Sequence, residues 1–176
     1  MTDWIKEASQ IAYSNQYFQV KEDQVRQPGG QKGTYVYVEK PDFILVIPEI
    51  EEQLVLVEQY RYPIQKRSLE FPQGNCERHE NYDNCMEREL LEETGYHAQK
   101  LHNLGKIYLG SGLTTQGCIV YHASKLSFVK QRLESSESDI RVLKYSISEV
   151  KTLIAKNEIQ DSPTVAAFNL FLLQRK

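Results

Sequence analysis

The sequence predicts an α+β fold in which a mixed sheet packs with about three helices. Three observations predict it. Apolar runs such as Phe43 to Ile47 and Leu54 to Val57 have strand length and fall far short of the roughly 18 residues of a membrane span. Helical windows carry their own boundaries: Asn81 and Gly95 frame one, and Ser146 with Glu149 forms a capping box at the start of another. A chain of 176 residues, 40% hydrophobic and 26% charged, holds enough apolar material for a core and excludes disorder as its overall description.

Taken in order, the first forty residues are β-rich. Tyr17 to Val25 and Thr34 to Glu39 read as strands, with Pro28-Gly29-Gly30 and Gly33 as turn residues between them. Such a hairpin has little core of its own, so residues 1–40 are expected to form a separate β segment that packs on another surface, and 41–176 the main domain. Strands follow at Phe43 to Ile47 and Leu54 to Tyr60 around a turn at Glu49 to Glu52, with a short extended piece at Leu69 to Phe71. Next comes the helix opened by Asn81, with Tyr82, Cys85 and Met86 as its apolar stripe. Further strands are expected at Leu104 to Tyr108, Cys118 to His122 and Leu143 to Tyr145, with a polar acidic loop at Gln131 to Asp139. A helix through Ile154 and a last one from Val165 to Leu173, after Asp161-Ser162-Pro163, complete the chain. These local signals do not specify strand order.

Composition narrows the function classes. With 21 basic against 24 acidic residues and a net charge of -3, a broad nucleic-acid surface is not expected, although a local basic pocket for a phosphate ligand is compatible. The amino-terminal residues lack the basic flank and apolar stretch of a signal peptide, and no membrane partner is expected. Cys76, Cys85 and Cys118 are odd in number and contain no CxxC pair. They fit a reducing cytoplasm better than a disulfide framework or a zinc site. His79, His97, His102 and His122 show no metal-ligand spacing. Trp4, Tyr17 and Phe18 are read as packing residues, with stacking on a nucleobase as the alternative.

The chemistry concentrates in residues 74 to 96. Glu89, Glu92 and Glu93 stand at i, i+3 and i+4 and share one helix face. They crowd the carboxyl end of that helix, where the macrodipole disfavours negative charge, and like charges four apart cost about 0.2–0.5 kcal/mol. That is a poor arrangement for stability and a good one for a divalent cation, since Mg2+ takes a few carboxylate oxygens and completes its shell with water and substrate phosphates. The bland reading is a solvated acidic face with an ordinary Arg88 to Glu92 ion pair. The full frame decides against it: Gly74, Glu80, Arg88, Glu89, Glu92, Glu93 and Gly95 at fixed spacing would coincide by chance on the order of once in a million such chains.

That frame resembles the complete Nudix box, with Tyr96 at a last position that is usually aliphatic. The resemblance implies a Nudix-type α/β/α sandwich with a mixed sheet, and hydrolysis of a nucleoside diphosphate linked to another moiety with Mg2+ or Mn2+ as cofactor. Glu58-Gln59-Tyr60-Arg61-Tyr62-Pro63, Leu69-Glu70-Phe71-Pro72-Gln73-Gly74 and Glu158-Ile159-Gln160-Asp161 are similar to the branch that cleaves ADP-ribose and nucleoside-diphosphate sugars. By that resemblance Glu89 and Glu93 hold the metal, Gln73 adds its backbone carbonyl, and its side-chain identity matters little. Glu92 assists the metal or moves a proton, Glu80 and Arg88 support the ligands, and Arg61 lies near the substrate phosphates. A cytoplasmic homodimer that acts on a nucleotide-sugar is implied, with the β segment at the interface.

One loop departs from the branch. In Gly110-Ser111-Gly112-Leu113-Thr114-Thr115-Gln116, Ser111 replaces a proline and Gln116 stands where a general-base glutamate is common. An amide takes no proton at neutral pH. Glu137 and Asp139 in the later acidic loop, and Glu92 or Glu93 in the box, remain the candidate catalytic acids. Hydrolysis of dinucleoside polyphosphates or oxidised nucleotides is the enzymatic alternative, and a nucleotide-sensing module without turnover the non-enzymatic one.

Overall fold

The computed structural model describes residues 3–77, 79–131 and 139–175. The chain forms two compact units, one of Met1–Asp42 with Tyr108–Gly117 and one of Phe43–Ile107 with Cys118–Lys176. In the first, β1 (Ile5–Ser14), β2 (Gln19–Arg26) and β3 (Lys32–Glu39) make an antiparallel sheet in the order β1-β2-β3. Asn15 closes the first turn by accepting the Tyr17 and Phe18 amides on its side-chain oxygen at 2.8 and 2.9 Å. The strand β1 lies outside the sequence expectation. Its residues Ile-Lys-Glu-Ala-Ser-Gln-Ile-Ala-Tyr-Ser are exposed along their whole length, so neither face carries the alternation that marks a half-buried strand. Against β3, the loop of the same unit is held by Val38 N to Leu113 O at 2.8 Å and Thr115 N to Val38 O at 3.0 Å.

The second unit is a sandwich around β4 (Phe43–Ile50), β5 (Gln53–Arg61), β8 (Tyr96–Tyr108), β9 (Gly117–Phe128) and β10 (Arg141–Ser146), in the order β10-β5-β4-β9-β8. Two short strands, β6 (Lys66–Glu70) and β7 (Gln73–Asn75), pair with β5 and β4. The sheet is mixed, because β4 runs parallel to β9 from Phe43 opposite Cys118 to Pro48 opposite Ala123, and antiparallel to β5 and β7. Alternation explains the continuous apolar run. Leu45 and Ile47 enter one core with Leu54, Leu56, Val120, Phe168 and Phe171, while Ile44 and Val46 enter the other with Val55, Met86, Leu90 and Ile119. One face therefore receives α3 (Ser162–Gln174) and α2 (Ile147–Ala155), the other α1 (Tyr82–Thr94). The expected α+β class, mixed sheet and helices are all present.

The helix boundaries follow the local chemistry. The Asn81 side chain accepts from Asn84 N at 2.8 Å, and Gly95 ends α1 at φ 77°, a conformation that costs a side-chain-bearing residue about 1 kcal/mol or more. Ser146 and Glu149 form the capping box of α2. The expectation of three reduced cysteines is corrected: Cys76 and Cys85 form a disulfide with Cα atoms 5.2 Å apart. Cys76, directly after β7, lies against Cys85 in the first turn of α1, which makes neighbours of residues nine apart in sequence. Cys118 is buried in β9, outside that bond.

Candidate active site

Helix α1 turns Cys85, Met86, Glu89, Leu90 and Glu93 inward. The apolar members fill the core against β4 and β9, and the two glutamates form the acidic edge of the same buried stripe. Glu89 is 6% exposed and Glu93 1%. Both sit beside β7. The Gln73 amide donates to Glu93 Oε2 at 3.1 Å, and the Glu89 carboxylate lies directly over Gly74. A Cβ on Gly74 would stand 2.0 Å from Glu89 Cδ and 2.1 Å from each carboxylate oxygen. This glycine is required by close approach rather than by a left-handed backbone, which among the box glycines belongs to Gly95.

Glu92 separates from the other two. It is half-buried on the flank of α1 and accepts Arg88 Nη1 at 2.9 Å, so the i, i+4 pair foreseen as the bland reading is present. Arg88 does more than pair with it. The guanidinium also reaches Glu89 Oε1 at 2.9 Å, both oxygens of Glu80 at 3.1 and 3.0 Å, and the Asn75 carbonyl at 3.1 Å. Hydrogen bonding to Glu80, with Glu89 and Glu92 beside it, raises the Arg88 pKa against the opposing effect of burial. A fixed cation thus orients the carboxylates from behind.

A further acid, given no role by sequence, is tied to the site through Gln73. Glu70 is 1% exposed and accepts Arg61 Nε at 3.0 and 3.2 Å, as well as Gln73 Nε2 at 2.6 Å. Burial pushes its pKa up, but the Arg61 hydrogen bonds and charge outweigh this and hold it below the ordinary carboxylate value. Arg61 therefore sits beside the acidic cluster, oriented by Glu70. An acid between Leu69 and Phe71 in an apolar extended run was the sequence signal, since a buried carboxylate needs a cationic partner. Nearby Asp161 caps α3 by accepting Thr164 N at 2.9 Å; burial, then the Glu70 charge, raises its pKa. The Gln73 side chain also has a definite place. Its Nε2 is spent on Glu70, and its Oε1 is buried without a hydrogen-bond partner among the described residues.

Of the acidic-loop candidates, Glu137 lies outside the described residues. Asp139 is described. Its Oδ2 accepts Arg67 Nη1 at 2.9 Å and Tyr60 N at 3.2 Å, which bring its pKa below the ordinary value despite desolvation. Gln116 belongs to the other unit, buried, its amide donating to Thr114 Oγ1 at 3.1 Å.

The cluster fits a hard divalent cation. Glu89 and Glu93 supply buried carboxylates on adjacent turns, and Gly74 leaves the space one of them occupies. All these ligand atoms are oxygen, as Mg2+ and Mn2+ prefer.

Comparison with known proteins identifies the family and the fold. The family model for the NUDIX domain matches residues 16–168. The chain is similar to the ADP-ribose pyrophosphatase of Bacillus subtilis (strain 168), with 26% identity over 95% of this chain and 91% of that protein. It is 30% identical to the methanol dehydrogenase activator of Bacillus methanolicus, over 92% of this chain and 89% of the other. A solved structure described as an ADP compounds hydrolase superposes with a TM-score of 0.87 at 18% identity, covering 98% of this chain and 94% of that one.

Proposed function

Since the chain belongs to the NUDIX family and is a pyrophosphohydrolase of that family, we propose that it cleaves the diphosphate bridge of ADP-ribose or a related nucleoside-diphosphate sugar with Mg2+ or Mn2+. The observation that carries this reading is the pair of buried carboxylates, Glu89 and Glu93, seated against the bare backbone of Gly74. When bound, a divalent cation neutralises phosphate charge and acidifies a coordinated water. Glu89 and Glu93 would hold it, with the backbone carbonyl of Gln73 beside them. Arg88 holds Glu89 and Glu92 in place by hydrogen bonds. Arg61, steadied by Glu70, presents a guanidinium to the substrate phosphates. Among the described acids Glu92 is assigned the proton-accepting role, because it stands on the same helix as both proposed ligands, whereas Asp139 Oδ2 is held by Arg67 and the Tyr60 amide. The products would be a nucleoside monophosphate and a sugar phosphate.

The protein acts in the cytoplasm, where nucleotide-sugars are found. It works as a homodimer joined through the β1 sheet, whose Ile5, Ile11 and Tyr13 are exposed.

Incubation with Mg2+ and a panel of ADP-ribose, nucleoside-diphosphate sugars and dinucleoside polyphosphates, with product identification, tests the reading. AMP and ribose 5-phosphate from ADP-ribose are expected, and Glu93→Gln should remove most turnover with the fold intact. Full turnover in Glu93→Gln contradicts the metal assignment. Binding of ADP-ribose without hydrolysis would identify a sensor. Glu92→Gln should lower kcat by about 10²–10⁴, and a larger loss in Glu137→Gln would move the base to the acidic loop.

A further inference from the structure

Cys76 follows β7 directly, and Cys85 lies one helical turn before Glu89 on the inner face of α1. Their disulfide joins the two pieces of chain that carry the proposed metal ligands, Gln73 on β7 and Glu89 with Glu93 on α1. The same two pieces are otherwise drawn together by Arg88, which donates to the Asn75 carbonyl from a position three residues beyond Cys85. Cys85 is fully buried, while Cys76 is half-buried at the loop and is the more exposed residue of the two. Glu80 lies within 4.8 Å of both sulfurs, but its two oxygens are engaged by Arg88, which disfavours a metal centre at the cysteines.

We infer that Cys76 and Cys85 form a reversible redox-modification site that clamps the loop of β7 to α1 and tightens the hold on the divalent cation. The inference rests on the metal reading given above. The oxidant is a small disulfide of the glutathione class. The Cys76 thiolate attacks one of its sulfurs, expels the first glutathione thiolate and leaves a mixed disulfide. The Cys85 thiolate then displaces the second glutathione. Two protein thiols are oxidised, one small disulfide is reduced, and the two protons pass to the departing thiolates. In the disulfide form the loop has fewer arrangements open to it, so less ordering accompanies cation binding.

The full chain is equilibrated in glutathione buffers of graded ratio, quenched with an alkylating reagent and mapped by mass spectrometry. Cys76 and Cys85 should convert together. Mn2+ affinity is then measured by calorimetry in both forms, and the dithiol form should bind about 10-fold more weakly. Cys76→Ser should show the weaker affinity in every buffer, and Cys85→Ala provides the same comparison from the helix side. Equal Mn2+ affinity in both forms overturns the clamp and leaves the metal reading intact. No Mn2+ binding in either form overturns both. A pair that stays reduced at every ratio also overturns the clamp, as does tight Zn2+ binding by the dithiol form that is lost in Cys76→Ser.

Discussion

At the scale of single residues, the site depends on an atom that is not there. Gly74 has no Cβ, and the Glu89 carboxylate occupies that space. Gly74→Ala should displace Glu89 and weaken Mn2+ binding by roughly 10–100-fold while circular dichroism stays unchanged; native affinity by calorimetry would show that Glu89 relocates without consequence. The box spacing made Gly74, Glu89 and Glu93 legible in sequence. Glu70 was not, because its role arises from a contact with Arg61 that the spacing alone does not encode. His122 offers a separate prediction. Its Nε2 lies 2.9 Å from Glu49 and its ring centroid 5.0 Å from that of Phe171. Burial lowers its pKa below the ordinary 6.5, against the pull of Glu49 and with help from the Arg175 charge. The unfolded chain therefore takes up this proton first, so stability is full above pH 6.5 and falls as pH drops through 6.5 toward the folded value. Denaturant midpoints measured across that window should fall for the native protein and flatten for His122→Gln.

At the scale of elements, α1 was legible at both ends because its cap chemistry is local, Asn81 before it and Gly95 after it. The turn between β4 and β5 was also legible in place, though not in conformation. Glu51 and Glu52 occupy it at φ 50° and 62°, a region where hairpin turns ordinarily use Asn and Gly. Replacing the pair by Asn-Gly should raise stability by about 1 kcal/mol, read as a higher urea midpoint with the same slope. An unchanged midpoint would show that the turn carries no strain. The long strands β8 and β9 exceed the windows expected from sequence: Tyr96 and Ala98 carry β8 back into the core and Ala123 extends β9, but the polar stretches between and beyond them break the apolar alternation.

At the scale of the molecule, strand order was beyond local reasoning, because the parallel pairing of β4 with β9 joins segments as distant as Phe43 and Cys118. The strand β1 sets the test of assembly. Its exposed apolar residues include Ile5 and Ile11, and light scattering should give a dimer of the 20.5 kDa chain. A double substitution, Ile5→Lys with Ile11→Lys, should yield monomer; a native chain that runs as monomer at micromolar concentration removes the interface.

The same parallel pairing has a consequence during synthesis. A ribosome releases Phe43 to Ile47 long before it reaches Cys118 to Ala123, and longer still before Phe168 and Phe171 arrive to cover the sheet. Until then the nascent chain carries an unshielded greasy segment with strong affinity for other strands, so chaperone occupancy should persist until α3 emerges.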